Sequence, residues 1–327
     1  MMINIFNPRV MLDLARGFTF DPRELVPQHL RDQFRVDVHW NSISIIRLGD
    51  DREIRLSRNN GVYVQDMVSC FDYYFSSVLP TASRSGAAGR QVVDFSSGHD
   101  QRIVGFDDFP IHCPSLAEPY MTCQQYLEFA QLAPGDVVID LGAYSALTSI
   151  AFSKAVGPAG KVLAVEPDAK NRASCMVNIE RHRKANKLEN ITMFPVAVGG
   201  QSGHITFSSE GSMGSAQANI VGTHRGTVVS VECKTLGQLV AEAGVGKVDF
   251  IKMDIEGSET EAIAASEELF RRFQPRIIVE PHAVAGGSTL EPVRALLDGY
   301  GYECSVIEQY GVAVPLLTAM PRTQQAG

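Results

Sequence analysis

The chain has 327 residues, 45% of them apolar, enough for a sizeable core and for more than one domain. Its 29 basic and 37 acidic side chains give a net charge of −8 with no Lys/Arg-rich run. That balance argues against nucleic acid as a partner, because duplex affinity rests largely on neutralising phosphates. Six cysteines without a C-x-x-C pair fit a reduced, cytoplasmic protein better than a disulfide scaffold or a zinc module.

The opening stretch "MMINIFNPRVMLDLARGF" carries Asp13 inside its most apolar part and reads as ordinary structure rather than a secretion signal. No apolar run is long enough to predict a membrane span. "FRVDVHW", "ISIIRL" and "EIRLS" are short alternating runs set apart by "GDD" and "RNNG", and they read as strands. "VQDMVSCFDYYFSSVL" has a helical pattern, and "TASRSGAAGR" reads as a linker. "QVVDF" and "QRIVGF" flank the turn "SSGHD" and suggest a hairpin. Residues 1–113 thus form a β-rich region, free to cover an active site or to pair across a homo-oligomer. Residues 114–327 change texture to strands alternating with helices. "VVIDL", "KVLAVEP", "ITMFPVAV", "VDFIKMDI" and "RIIVEP" are the strands. Their helices place Leu147, Ile150 and Ala151 inward; then Ala169, Ala173, Met176 and Val177 on one face; then Ala262, Ser266, Leu269 and Phe270. Ser288 and Glu291 have capping-box spacing ahead of Leu290, Val293 and Leu297. "YECSVI" and "VAVPLLT" are too close for a crossover helix and close the chain as an antiparallel hairpin. The pattern predicts an α/β fold, a mostly parallel sheet covered on both faces.

Ligands of such sheets bind outside the carboxyl ends of the strands, where strand order reverses. Those ends carry Asp140, then Glu166, then Asp254 and Glu256, then Glu280 and His282. Asp168 and Glu259 read equally well as helix caps. Glu166, 24 residues after Gly142, suits a ribose in an NAD site or in any other adenosine site. The first loop separates the two. A pyrophosphate needs glycine-lined backbone amides, yet Tyr144 and Ala146 occupy those positions and Asp140 would repel phosphates. A sulfonium and an ammonium attached to adenosine reverse each objection, which points to S-adenosyl-L-methionine.

The combination "VIDLGAYSALTS", "VLAVEPD", "MVNIERHRKANKLENITMFPVAVGG", "VDFIKMDIEGSE" and "RIIVEPH" resembles the FkbM-type branch of the class I S-adenosylmethionine-dependent methyltransferases over about residues 115–320. The resemblance implies a Rossmann-like class I fold with a seven-stranded sheet and an antiparallel final strand. It places Asp140, Gly142 and Ala143 along the methionine part of the cofactor, Glu166 on the ribose, Pro167 beside the adenine, and Ala197 and Val198 flanking the base. Two positions depart from the family pattern: Tyr144 stands where asparagine is usual and Ala146 where glycine is usual. The alanine methyl is costly if φ is left-handed.

Methyl transfer from the cofactor to a hydroxyl benefits from a base, and Asp254 with His282 is the predicted catalytic pair, Asp254 being equally suited to the cofactor amine. Glu118 and Tyr120, just before the core, read more readily as ordinary helix entry than as residues that close over the methionine end. Asp254, Glu256, Glu280 and His282 also have the donors for Mg²⁺ or Mn²⁺, although cofactor contacts and caps explain most of them without a metal. Lys252 reads as a local ion-pair partner, and the loop "EGSMGSAQAN" equally as a cover for the acceptor or as a plain hairpin connection. The remaining seven histidines show no ligand spacing. The expected activity is O-methylation of a small-molecule hydroxyl, on a sugar of a glycan or a natural product. An NAD(P)-linked oxidoreductase and a degenerate scaffold are the alternatives.

Overall fold

The computed structural model describes residues 21–81, 90–209, 211, 216–217, 227–285, 287–310 and 314–322. The expectations for the first eighteen residues, for most of the linker and for most of "EGSMGSAQAN" lie outside them. Two compact units divide the chain, Met1–Pro110 and Ile111–Gly327.

In the first unit, β1 (Phe34–Val38), β2 (Ser42–Arg47) and β3 (Arg52–Ser57) pair antiparallel as their alternation requires. Ile43, Ile45, Ile54 and Leu56 are fully buried on these strands. The "RNNG" stretch winds into a 3₁₀ turn, and the aromatic-rich stretch after it forms α1 (Val64–Ser69) and α2 (Phe71–Ser76). Expected hairpin partners part company. Strand β5 (Gln91–Phe95) adds parallel to β3, whereas β6 (Asp100–Ile103) pairs antiparallel with β4 (Val78–Pro80). Asp94 accepts hydrogen bonds from the backbone N–H and hydroxyl of Ser96, which turns the chain out of the first sheet instead of folding it back.

The second unit opens with β7 (Ile111–His112) and α3 (Tyr120–Ala130). It is built on β8 (Val137–Leu141), β9 (Lys161–Val165), β10 (Ile191–Phe194), β15 (Phe250–Met253), β16 (Arg276–Val279), β19 (Tyr302–Ile307) and β20 (Leu316–Pro321). Their order across the sheet is β10-β9-β8-β15-β16-β20-β19. All neighbours are parallel except at β20, which runs antiparallel to both β16 and β19, as the closing hairpin predicts. This is the seven-stranded arrangement with an antiparallel final strand that the resemblance implies. Ile139, Leu141, Ile251, Met253, Ile277 and Val279 bury one face against α6 (Leu236–Ala243), α7 (Glu259–Ala264), α8 (Glu267–Phe273) and α9 (Leu290–Gly299). Val138, Val162, Phe250 and Ile278 bury the other against Tyr126 and Phe152, the latter on α4 (Leu147–Val156). Both faces are therefore apolar, which explains the unbroken hydrophobic strands. Strand order reverses between β8 and β15, where Asp140 pairs in register with Lys252.

Three local expectations fail for physical reasons. The predicted apolar face of α5 (Ala169–Asn186) lies in solvent: Met176 and Val177 are 55% and 38% exposed. Its inner face is polar, made of Ser174, Cys175, Asn178 and His182, because it packs against loop backbone that needs hydrogen-bond partners. Asn178 accepts the His112 N–H and donates to the carbonyls of His112 and Ser145; His182 meets Ser153. The long third strand breaks at Pro195, and β11 (Ala197–Val198) joins a second sheet with β12 (Gly203–Ser209), β13 (Ala216–Gln217) and β14 (Thr227–Lys234). The short pair β17 (Ala283–Val284) and β18 (Gly287–Ser288) leads into α9, whose N-cap is Thr289; the Ser288 hydroxyl still accepts the Leu290 N–H at 3.2 Å, but from one residue outside the predicted cap position. Among the described residues a capping box forms instead between Thr235 and Gln238, at the start of α6.

Candidate active site

The crevice at the switch point begins where β8 ends. Asp140 is fully buried; its Oδ2 accepts the Ser149 hydroxyl at 2.5 Å, and its Oδ1 has no hydrogen-bond partner. Burial raises its pKa, partly opposed by the Lys252 ammonium. The chain then turns at Gly142, φ +80°, where a Cβ would stand 1.9 Å from the Asp254 carbonyl oxygen. Only glycine lets the two strand ends approach so closely. Tyr144 (φ +48°) and Ala146 (φ +63°) follow in the left-handed region. Each carries a cost of about 1–2 kcal/mol for a residue with a Cβ. The departures noted in the sequence therefore fall on strained backbone.

Lys252, on the strand beside Asp140, is 2% exposed. Its Nζ donates to the carbonyls of Gly142 (2.8 Å) and Leu141 (3.3 Å) and faces Asp254 Oδ2 at 3.5 Å and Asp140 Oδ1 at 3.6 Å. Burial would depress its pKa, yet Asp254, Asp140, Glu118 and Glu280 together hold it above the ordinary lysine value. The ion-pair role expected for Lys252 is borne out. Glu118 accepts the Ser145 hydroxyl at 3.3 Å, and burial pushes its pKa up to about 8 despite Lys252. Tyr120 is the first residue of α3.

Glu166, 4% exposed beyond the end of β9, accepts the Tyr144 N–H on Oε2 and the Asp168 N–H on Oε1, both at 2.8 Å. Burial raises it to about 7 against those hydrogen bonds. Pro167 follows it. Asp168 is indeed a cap: its side chain accepts the N–H groups of Lys170 and Asn171. Ala197 and Val198 are buried past the end of β10, with the Val198 side chain turned into the core.

His282 follows β16 beside the end of β15. Its Nδ1 lies 3.0 Å from Glu259 Oε1, and its Nε2 is 3.6 Å from Asp254 Oδ1 and 3.7 Å from Glu256 Oε1. Thr289 fixes its backbone, accepting the His282 N–H on Oγ1 and donating its own N–H to the His282 carbonyl. Burial would lower the imidazole pKa, but Glu259, Glu256 and Asp254 raise it to about 10. Glu280 is held raised by burial and by Asp254, and receives the Gln309 amide at 2.9 Å. Ligand atoms of Asp254, Glu280 and His282 lie within 4.8 Å of one another, a spacing that admits a divalent ion. Lys252 and the protonated His282 already place two cations against these carboxylates, which lowers the electrostatic gain of a third.

Two features were missed by sequence reasoning. Glu259 orients His282, whereas its sequence reading was divided evenly between a helix cap and a site residue; its place directly after "DIEGS" in a carboxylate-rich loop was the available signal. Gln309 carries no signal at all, because the crossing of chain that brings it to Glu280 is a tertiary event.

Residues 140–304 match the methyltransferase FkbM domain. The 2-O-methyltransferase NoeI of Sinorhizobium fredii is 26% identical over 150 residues, 41% of this chain and 59% of that protein. The chain thus spans under two thirds of that relative's length. The 31-O-demethyl-FK506 methyltransferase FkbM of Streptomyces tacrolimicus is 26% identical over 196 residues, 53% of this chain and 74% of that one. Among solved structures, a methyltransferase FkbM from Methylobacillus flagellatus matches at 14% identity and a TM-score of 0.42, covering 80% of this chain and 55% of its own. The chain belongs to the FkbM methyltransferase domain family.

Proposed function

We propose that the protein is an S-adenosylmethionine-dependent O-methyltransferase acting on a hydroxyl of a small molecule, a sugar unit of a glycan or of a natural product. The observation that carries this reading is the buried acidic crevice at the switch point, where Glu118, Asp140, Asp254 and Glu280 surround one lysine and Asp140 Oδ1 has no hydrogen-bond partner, only the Lys252 ammonium 3.6 Å away. A sulfonium with an ammonium is the ligand such an environment stabilises; phosphates are repelled from it. The residues present fit that cofactor. Asp140, Gly142 and Ala143 line its methionine part, Glu118 and Asp254 face its ammonium, and Glu166 takes the ribose. Pro167 and Ala197 border the base, while Tyr144 contributes its backbone. The names of the two curated relatives, a 2-O-methyltransferase and a 31-O-demethyl-FK506 methyltransferase, support a hydroxyl acceptor.

When bound, the cofactor supplies the methyl carbon that the acceptor oxygen attacks. The chain's task is to hold that oxygen in line, worth roughly 7–11 kcal/mol for well-oriented pairs, and to receive its proton. Glu259 fixes the His282 ring so that Nε2 faces Asp254 and Glu256. In the free protein those carboxylates keep the ring protonated. A cationic ligand beside Asp254 offsets them and lowers the imidazole pKa, which releases Nε2 to act as base.

The test is incubation with labelled cofactor and a panel of glycosides and polyketide alcohols, read as a mass gain of one methyl. His282→Asn and Asp254→Asn are expected to lower kcat by about 10²–10⁴, the usual share of a general base. His282→Asn is expected to keep its affinity for S-adenosylhomocysteine. Absence of S-adenosylhomocysteine binding in calorimetry, with a dinucleotide bound instead, would overturn the reading.

A further inference from the structure

Tyr144 occupies a backbone conformation that a bulky side chain rarely adopts, and strain of that kind persists only where surrounding contacts enforce it. Three sets of contacts do so. Its N–H donates to Glu166 Oε2 at 2.8 Å, and its carbonyl accepts the Cys175 thiol at 3.1 Å. Its phenol, in a side chain 4% exposed, donates to the Leu116 carbonyl at 2.8 Å. The same oxygen lies 2.8 Å from Ser115 Oγ and accepts the Ser115 N–H at 3.3 Å. Leu116 and Ala117 are fully buried, so this segment has a fixed register. Two residues past Leu116, Glu118 meets Ser145 and shares the field of Lys252, Asp140 and Asp254. One residue therefore joins the carboxylate suited to a ribose with the segment that bears the carboxylate at the far end of the crevice.

We propose that Tyr144 is a positioning residue for the amino-acid end of the cofactor: its phenol fixes Ser115–Leu116 so that the Glu118 carboxylate stands where the ligand's ammonium arrives. The adenosine end relies on Glu166, which Tyr144 reaches through its backbone, and is independent of the phenol. The inference rests on the proposed S-adenosylmethionine site and deepens it. It also gives a physical reason for a tyrosine at a strained position that a smaller side chain would fill with less cost.

The test is calorimetric titration of the full chain with two ligands, S-adenosylhomocysteine and 5′-methylthioadenosine, the second lacking the amino-acid portion. Tyr144→Phe is expected to weaken S-adenosylhomocysteine about tenfold, the scale of one lost charge-assisted contact, and to leave methylthioadenosine within about twofold. Glu118→Gln is expected to show the same selectivity, and the double variant to be no weaker than the worse single variant by more than about twofold. Ser115→Ala, a gentler change to the same junction, is expected to give a smaller loss confined to S-adenosylhomocysteine. Equal weakening of both ligands, no change in either, or multiplying effects in the double variant would overturn the proposal. Failure of the wild-type chain to bind either ligand removes the proposed function along with it, and the wild-type titration alone distinguishes that result.

Discussion

At the scale of single residues, the crevice is shaped by positions where ordinary side-chain freedom is absent. A methyl at Gly142 would overlap the Asp254 carbonyl, and the φ of +80° penalises it again. Gly142→Ala is therefore expected to lower stability by more than about 3 kcal/mol or to prevent folding, read as a urea midpoint or as loss of the folded fraction. Ala146 is a milder case. Alanine here was expected to be costly only in a left-handed conformation, and the structure has it at +63°. Its methyl is also buried in a small cluster with Ala143, Ala164 and Cys175, which offsets part of the strain. Glu166 supplies a pH signature. Its folded pKa, about 7, is raised above the ordinary carboxylate value. The folded state thus holds the proton more tightly than the unfolded chain, and stability from this group is full below the unfolded value and lost as pH rises through 7. The loss amounts to about 3 kcal/mol. Glu166→Gln is expected to flatten that slope between pH 5 and 8 in urea titrations. A ribose diol donates to the ionised form, so the wild-type affinity for S-adenosylhomocysteine is expected to rise across the same range and that of the variant to stay level.

At the scale of elements, α5 and β15 show how a pattern misleads or informs. The apolar side chains of α5 suggested a buried stripe, but the surface it covers includes the carbonyls of His112 and Ser145, which select Asn178, and the Ser153 hydroxyl, which meets His182. Asn178→Ala is expected to cost about 2–4 kcal/mol in urea unfolding because it strands several buried polar groups. Met176→Lys on the predicted core face is expected to stay within about 0.5 kcal/mol. Strand β15 carries the opposite lesson. Alternation along "VDFIKMDI" places Lys252 and Asp254 on one side, and register with β8 places Lys252 against Asp140. Lys252→Met leaves those carboxylates without their ammonium and is expected to destabilise the chain by about 3–5 kcal/mol in the same assay.

At the scale of the whole molecule, the division after Pro110 gives each unit its own core. A ligand at the switch point lies within the second unit. S-adenosylhomocysteine at a hundredfold excess over its Kd is expected to stabilise that unit by about 2.7 kcal/mol in calorimetric unfolding. The sequence by itself determined the α/β class, the strand order's closing hairpin and the row of acids at the strand ends. Those features depend on local periodicity and on chain distances too short for any other connection. The tertiary structure alone decided that β5 and β6 join different sheets, that α5 turns its polar face inward, that Glu259 orients His282 and that Tyr144 ties the loop to Ser115. Each of these depends on which backbone groups arrive opposite a side chain from distant parts of the chain. Local pattern carries no record of those meetings, because an unpaired carbonyl acquires its partner only once the layers have packed.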